Sequence, residues 1–283
     1  MTADDVEPAS QVQVTAFDDL DRRTGGSPQP IGDDIWARIR GRHEHFLQHD
    51  PGGAWVATVD EAIVGCALAL RRDSLWGLSL LVVHPDHQSS GAGRRLLDAA
   101  LGYAAGCATA IILSSTDARA MRAYATSGFD LFPQVGGRGE VRAVPAPRRT
   151  VRDGSVADAE LMDVVDRKVR GAPHGPDHHR MSTIMQAFVI DDVDGQGYAW
   201  LRGDGELSVL AATDDETATA LLWRALAHCK ETGTRVGLWH ITGEQQWAVR
   251  VAYDARLEVK PDGPVFWRGR TPPRSYLPSG AFL

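Results

Sequence analysis

The chain has 283 residues, room for two domains of ordinary size, and a hydrophobic content of 43%, enough for a sizeable core. A formal net charge of −7 and an isoelectric point near 5.8 argue against nucleic acid or an anionic membrane as the main partner. Cys66, Cys107 and Cys229 lack the paired spacing of disulfides or zinc ligands, which fits a reducing cytoplasm.

Residues 1–10 read as a loose acidic tail, without the basic and then apolar pattern of a secretory signal. No apolar run reaches membrane-spanning length. Gly25–Pro30 reads as a loop. Asp33 then caps a helix that ends before Pro51. Ala54–Val59 and Ile63–Arg71 are predicted strands of a hairpin turning at Asp60-Glu61-Ala62. Trp76–Val83 is the next strand, Gly93–Ala105 an amphipathic helix and Ala108–Ser114 a buried strand. Asp117–Ser127 is a short helix stopped by Gly128, and Phe129–Phe132 begins another strand. The proline- and arginine-rich Ala143–Thr150 reads as a linker.

Beyond the linker the order of elements repeats. Phe188–Asp191 and Gly197–Leu201 form a hairpin, Leu207–Ala211 a strand and Glu216–Lys230 a helix. Gly233–His240 is a strand, Glu244–Ala252 a helix, and a last strand starts at Leu257. LSLLVV from Leu78 lies over LSVLAA from Leu207, and AMRAYATSGFDL from Ala120 over AVRVAYDARLEV from Ala248. The expectation is a duplicated fold, with halves at 1–145 and 146–283.

The segment between the strand at Trp76–Val83 and the helix that follows carries the chemistry. Gln88-Ser89-Ser90-Gly91-Ala92-Gly93 sits at a helix start, where free N–H groups and the positive dipole end attract phosphate. Gly91 and Gly93 let a phosphate approach the backbone, and Arg94 and Arg95 add charge. No Gly-Lys-Ser/Thr follows, so this is not a Walker loop, and the dinucleotide fingerprint is incomplete after Gly93. Val83, Pro85, Gln88, Gly91 and Gly93 form V-x-P-x-x-Q-x-x-G-x-G. This pattern resembles the acyl-CoA loop of the GNAT superfamily of N-acyltransferases. Asp117–Asp130 resembles a second motif of that family, with Ala120, Tyr124, Gly128 and Phe129 in place and Asp117 where the family often has Asn.

The resemblance implies an α/β (α+β) mixed-sheet GNAT fold, here in tandem, with helices flanking each central mixed sheet. It implies acetyl-CoA as co-substrate, no metal, and direct transfer to the amine of a small molecule in a ternary complex. Leu81 would offer its N–H to the thioester oxygen, Val83 would pair the pantetheine amide, and Tyr124 would protonate the CoA thiolate. The cofactor would touch Leu81, Val82, Val83, Gln88, Ser89, Ser90, Gly91, Ala92, Gly93, Arg94, Asp117 and Tyr124. A phenol with a pKa of about 10 stays protonated at neutral pH, although a buried tyrosine also serves packing alone. Many members carry a carboxylate on the strand before the loop. Gly77 and Ser79 stand in that region here, leaving His84, Asp73 or a water chain at Ser114 or Ser115 as candidate bases.

In the second half the aligned loop is Thr213–Ala218. Its glycines are gone and Asp214, Asp215 and Glu216 stand where phosphates would bind. Ala252 replaces the tyrosine. One acyl-CoA site per chain is expected, with the second half structural. Two alternatives remain open: a catalytically silent acyl-CoA-binding sensor or interaction protein, and an acetyltransferase of protein lysines or N-termini. The expected state is a cytoplasmic monomer or homodimer.

His43, His45 and His49 on one helix, and His174, His178 and His179, read as exposed or loop-satisfying residues rather than metal ligands. Trp36, His45, Arg170 and His174 are acceptor-specificity candidates. Trp55, Trp200 and Trp267 read as strand core, Trp239 and Trp247 as packing between halves, and the apolar Ser275–Leu283 as a docked segment.

Overall fold

The acidic residues that open the chain begin a helix instead of trailing free. In the computed structural model, which describes residues 1–28 and 30–283, Val6–Arg23 forms α1. Thr2 and Asp5 cap the turn before it reciprocally, and Val6, Ala9, Val12 and Ala16 form its buried face. Acidic residues suit a helix N-terminus because of its dipole, so the stretch that reads as a solvated tail is a helix start. Within the expected loop at Gly25–Pro30, Gln29 lies outside the described residues.

The chain divides into two compact units, Met1–Arg71 with Leu75–Ala110, and Arg72–Ser74 with Ile111–Leu283. The first unit adds α2 (Asp33–His49), β1 (Ala54–Val59), β2 (Ala62–Arg72), β3 (Leu75–Val83) and α3 (Ala92–Gly102). The β1–β2 hairpin turns at Asp60 and Glu61, both at positive φ, and pairs Ala54 with Leu68 through Val59 with Ala62. Cys66–Leu70 is buried without alternation, so both faces of β2 are covered. Two expectations are corrected here. Trp55 is 41% exposed on the edge strand β1. The core tryptophan is Trp76, whose indole donates to the Ala100 carbonyl. His43 and His45 are buried, not exposed. Burial pushes the His43 imidazole down to about 4, so it packs as a neutral ring.

The second unit takes up the chain inside β4 (Thr109–Leu113). It continues with α4 (Ala118–Thr126), β5 (Asp130–Gly139), β6 (Arg152–Gly154), α5 (Ala159–Val169) and α6 (Pro176–Ser182). Then come β7 (Met185–Asp192), β8 (Gly195–Arg202), β9 (Leu207–Ala212), α7 (Asp215–Thr232), β10 (Val236–Thr242), α8 (Gln246–Asp254), β11 (Glu258–Arg268) and β12 (Tyr276–Leu277). One sheet of this unit runs β4-β11-β5-β10 and the other β12-β9-β8-β7-β6. The strand that closes the second sequence repeat, β11, therefore lies between two strands of the first. Gly263 at the β11 bulge passes so close to the Ser114 carbonyl that any side chain there would overlap it. Trp200 and Trp267 are buried as expected. Leu210, Leu221, Leu226, Leu238, Ile241, Trp247 and Val251 share one core. Ala143–Thr150 carries no helix or strand. Among the described residues, no helix is long and apolar enough to cross a membrane.

Candidate active site

Strand β3 ends at Val83 and the chain is tied down at once. The His84 N–H donates to the Val64 carbonyl at 2.8 Å, and the Gln88 side-chain amide donates back to the Val83 carbonyl at 3.2 Å. A short turn at Pro85–His87 follows, and the Ser90 hydroxyl closes on the His87 carbonyl at 2.7 Å. Gly91 caps α3 with φ of 87°, a left-handed conformation that a side chain would strain. Gly93 is different. A methyl there would meet only Val83 Cγ2, at 3.5 Å, which is ordinary contact. The protein's own packing leaves room at Gly93.

The other residues of the loop and strand are placed as follows. Leu81 and Val83 are half-buried on β3, with Val82 buried between them and Ala92 buried at the helix start. Ser89 has φ of 63°. The Arg94 guanidinium pairs with Asp98 one turn on, at 3.0 Å. At Ser79, where a carboxylate was sought, the Arg42 guanidinium from α2 binds the backbone carbonyl and the hydroxyl at 2.6 Å. Burial lowers the Arg42 pKa to about 10, so it stays a cation at neutral pH. The sequence reading missed Arg42, because the spacing between α2 and β3 carries no pairing signal.

In the second unit, Asp117 caps α4 by accepting from the Arg119 N–H at 2.8 Å and pairs with the Arg119 guanidinium. Tyr124 is buried near the end of α4, its ring edge-on to Phe266 with centroids 5.5 Å apart. Gly128 ends the helix at φ of 84°. Of the candidate bases, Asp73 faces Arg167 at 3.5 Å. His84 accepts from the Asp86 N–H, and the Ser114 hydroxyl donates to the Ser115 carbonyl.

The family model of the acetyltransferase (GNAT) family matches residues 19–129, which span the phosphate-type loop and the helix of Tyr124. Residues 19–129 are thus similar to the GNAT acetyltransferase family. No curated protein matches the chain. Solved structures extend the likeness to nearly its whole length. A Pyrococcus horikoshii protein classed as an acetyltransferase aligns at TM-score 0.74 and 15% identity, over 99% of this chain and 93% of that one. A tandem GNAT protein from the clavulanic acid biosynthesis pathway aligns at 0.57 and 15%, over 95% and 96%. A GCN5-related N-acetyltransferase from Sphaerobacter thermophilus aligns at 0.55 and 14%, over 96% and 95%. At these identities the likeness is one of fold.

In the second half the positions aligned with the loop and with Tyr124 are occupied differently. Asp214 caps α7 by accepting from the Thr217 N–H at 2.8 Å, and Asp215 is engaged by Arg274 and Ser275. Ala252 is fully buried and Tyr253 is 58% exposed, so the neighbouring tyrosine does not replace Tyr124. Arg256, aligned with Gly128, keeps a positive φ of 64°.

This unit also holds a buried polar network whose centre, Asp166, the sequence reading passed over. Asp166 accepts from the Tyr198 hydroxyl at 2.6 Å, from the His174 backbone N–H at 3.0 Å, and from His174 Nδ1 at 2.7 Å and His178 Nε2 at 3.1 Å. Trp200 donates to the remaining nitrogen of His178 at 3.2 Å. Ligand atoms of Asp166, His174 and His178 lie within 4.8 Å of one another, a spacing open to a cation. They already meet in direct hydrogen bonds, so the arrangement serves as a satisfied network. His174 and His178 are thus buried, contrary to the exposed reading, and Arg170 is fully buried as well. Nearby, Arg72 pairs with Asp177 at 2.7 Å, with both side chains buried.

Proposed function

We propose that this chain transfers an acetyl group from acetyl-CoA to a primary amine by direct attack in a ternary complex. The observation that carries the reading is the Gln88–Gly93 loop. Its backbone is locked by the chain itself at Gln88 and Gly91, yet it leaves open space at Gly93. In this reading the halves are 1–145, catalytic, and 146–283, degenerate. The α3 start and Gln88–Arg94 hold the pyrophosphate, and Leu81–Val83 align the pantetheine and the thioester. Tyr124 protonates the departing thiolate, and Asp117 borders the CoA arm. The acceptor is a small amine, and the protein works in the cytoplasm as a monomer or homodimer.

No covalent intermediate is invoked. The amine attacks the thioester carbonyl, the oxyanion collapses, the C–S bond breaks and the thiolate takes the Tyr124 proton, while the amine nitrogen loses its extra proton to solvent and Tyr124 is reprotonated from solvent. The Arg42 cation on Ser79 has a consequence for the amine. With no carboxylate on β3 the acceptor must arrive neutral, so kcat/KM should rise with pH toward the amine's own pKa. A steady-state pH series tests this, and a profile flat from pH 6 to 9 would contradict it.

The same arrangement favours a second reading, a silent acyl-CoA-binding protein. Mass spectrometry of products after incubation with acetyl-CoA and an amine library separates the two, and adding peptides with free lysines or N-termini tests protein acceptors. Gly93→Val tests the loop in either case. Calorimetry should show acetyl-CoA binding weakened by about tenfold or more, roughly 1.4 kcal/mol, with the thermal midpoint nearly unchanged. Unaltered affinity would remove the phosphate role from this loop.

A further inference from the structure

The aligned segments LSLLVV and LSVLAA place Leu210, Ala211 and Ala212 of β9 at the positions of Leu81, Val82 and Val83. In the second half these positions are already occupied. Strand β12 runs antiparallel to them, with Tyr276 opposite Ala211 and Leu277 opposite Leu210. The Ala212 N–H donates to the Ser275 carbonyl at 3.0 Å. The other edge of β9 is paired with β8, and toward β10, on the β12 side, β9 has little hold. The single isolated bridge between them joins Glu206 to Gly237, and beyond it the opening is filled by β12.

The residues ahead of β12 reach the helix start where the first half keeps its glycine loop. Arg274 donates to Asp215, the first residue of α7, at 2.6 Å, and the Ser275 hydroxyl donates to the same carboxylate at 2.7 Å. From the α8 side, Gln245 donates to the Pro273 carbonyl at 2.7 Å and Trp247 to the Arg274 carbonyl at 2.8 Å. Further along, Ser279 meets Ser208, the counterpart of Ser79, at 3.2 Å. Leu283 offers its carbonyl to His174 at 3.2 Å. Tyr276 and Leu277 are buried.

We infer that Arg274–Leu277 is a built-in ligand of the second half, lying along β9 and the α7 start where the first half would take the phosphopantetheine arm of acyl-CoA. The inference rests on the acyl-CoA reading of the first half. Its chemistry is complementary throughout. A peptide strand offers the alternating donors and acceptors that an amide-bearing arm would offer to a strand edge. The charges at the helix start are exchanged: Asp215 on the protein would repel a pyrophosphate but pairs with Arg274 of the segment. A ligand tethered to its own site has an effective concentration on the order of millimolar, so free acyl-CoA does not displace it. The second cleft is closed, and the chain takes one acyl-CoA.

Hydrogen exchange on the full chain, read at residues 79–83 and 208–212 with and without saturating acetyl-CoA, tests this. Residues 208–212 should be protected in the free protein and unchanged by acetyl-CoA, while 79–83 gain protection. Arg274→Glu should speed exchange at 210–212 severalfold. Asp215→Arg combined with Arg274→Glu should restore protection. Leu277→Asp, which puts a charge into a buried apolar position, should speed exchange there by tenfold or more without altering 79–83. Protection of 208–212 by acetyl-CoA in the wild type, or exchange there unmoved by both Arg274→Glu and Leu277→Asp, would overturn the inference. Failure of the acyl-CoA reading would show separately, as no response at 79–83.

Discussion

Tyr124→Phe is expected to lower kcat by about a hundredfold or more, within the range for loss of a positioned general acid, with acetyl-CoA affinity unchanged. The substitution removes only the hydroxyl. The ring keeps its edge-on contact with Phe266 and its buried place at the end of α4, so folding should be preserved. Burial pushes the Tyr124 phenol well above its ordinary value, and the charge of Asp117 adds to the shift. The acid works when protonated, and a raised pKa keeps it protonated through the neutral and mildly alkaline range. Loss of rate between pH 8 and 10 should therefore not arise from Tyr124, and the variant should show the same alkaline behaviour as the wild type. Wild-type turnover in the variant, measured with any amine that the product screen identifies, would reduce Tyr124 to a packing residue.

The largest expected effect on stability is at Asp166. Asp166→Ala should destabilise the protein by about 3–5 kcal/mol, because it strips the shared acceptor from a buried hydrogen-bond network and leaves several buried donors without partners. Those donors are the Tyr198 hydroxyl, the His174 backbone and ring N–H groups and the His178 ring N–H. Burial alone would raise the Asp166 pKa, but His174 and His178 facing it hold the carboxyl well below the usual carboxylate range. A folded-state pKa below the unfolded value of about 3.9 gives stabilisation that is present above that value and is lost as pH falls through the folded pKa. The gap between wild type and variant, read by urea unfolding, should be constant from pH 5 to 7 and narrow below about pH 4. Equal stability of the two proteins at pH 7 would show that the network contributes nothing. The segment beyond Arg274 should respond too, since the Leu283 carbonyl lies 3.2 Å from His174 Nε2. Asp166→Ala is expected to raise exchange near residue 283.

Much of the candidate site's local structure was legible because its signals are local. The strand, the loop and the helix start around Gln88–Gly93 lie within a few residues of one another. Gly91 needs glycine for a backbone reason, which a sequence pattern records directly. Asp117 and Gly128 bracket α4 in the same way, as cap and stop. The repeat was legible for a similar reason: Arg256 keeps the conformation of Gly128 although its side chain has changed. Local reading failed where charge was taken for exposure. The acidic first residues are a helix start, and His43, His174 and His178 are buried because partners distant in sequence satisfy or neutralise them. No periodicity marks Asp166 as the acceptor they share.

What the sequence determined by itself is the order of elements from α2 to β5 and from β7 to β11, their repetition and the one glycine loop, since these follow from propensity, period and turn chemistry within short windows. Beyond the two hairpins, only the tertiary structure decided which strands pair. A period of two tells which face of a strand is apolar but not which edge will meet it. Hence β11 lies between β4 and β5, Arg42 stands at Ser79, and the segment Arg274–Leu277 lies along β9. Each of these joins residues far apart along the chain, through backbone hydrogen bonds or single charges that leave no pattern in the sequence.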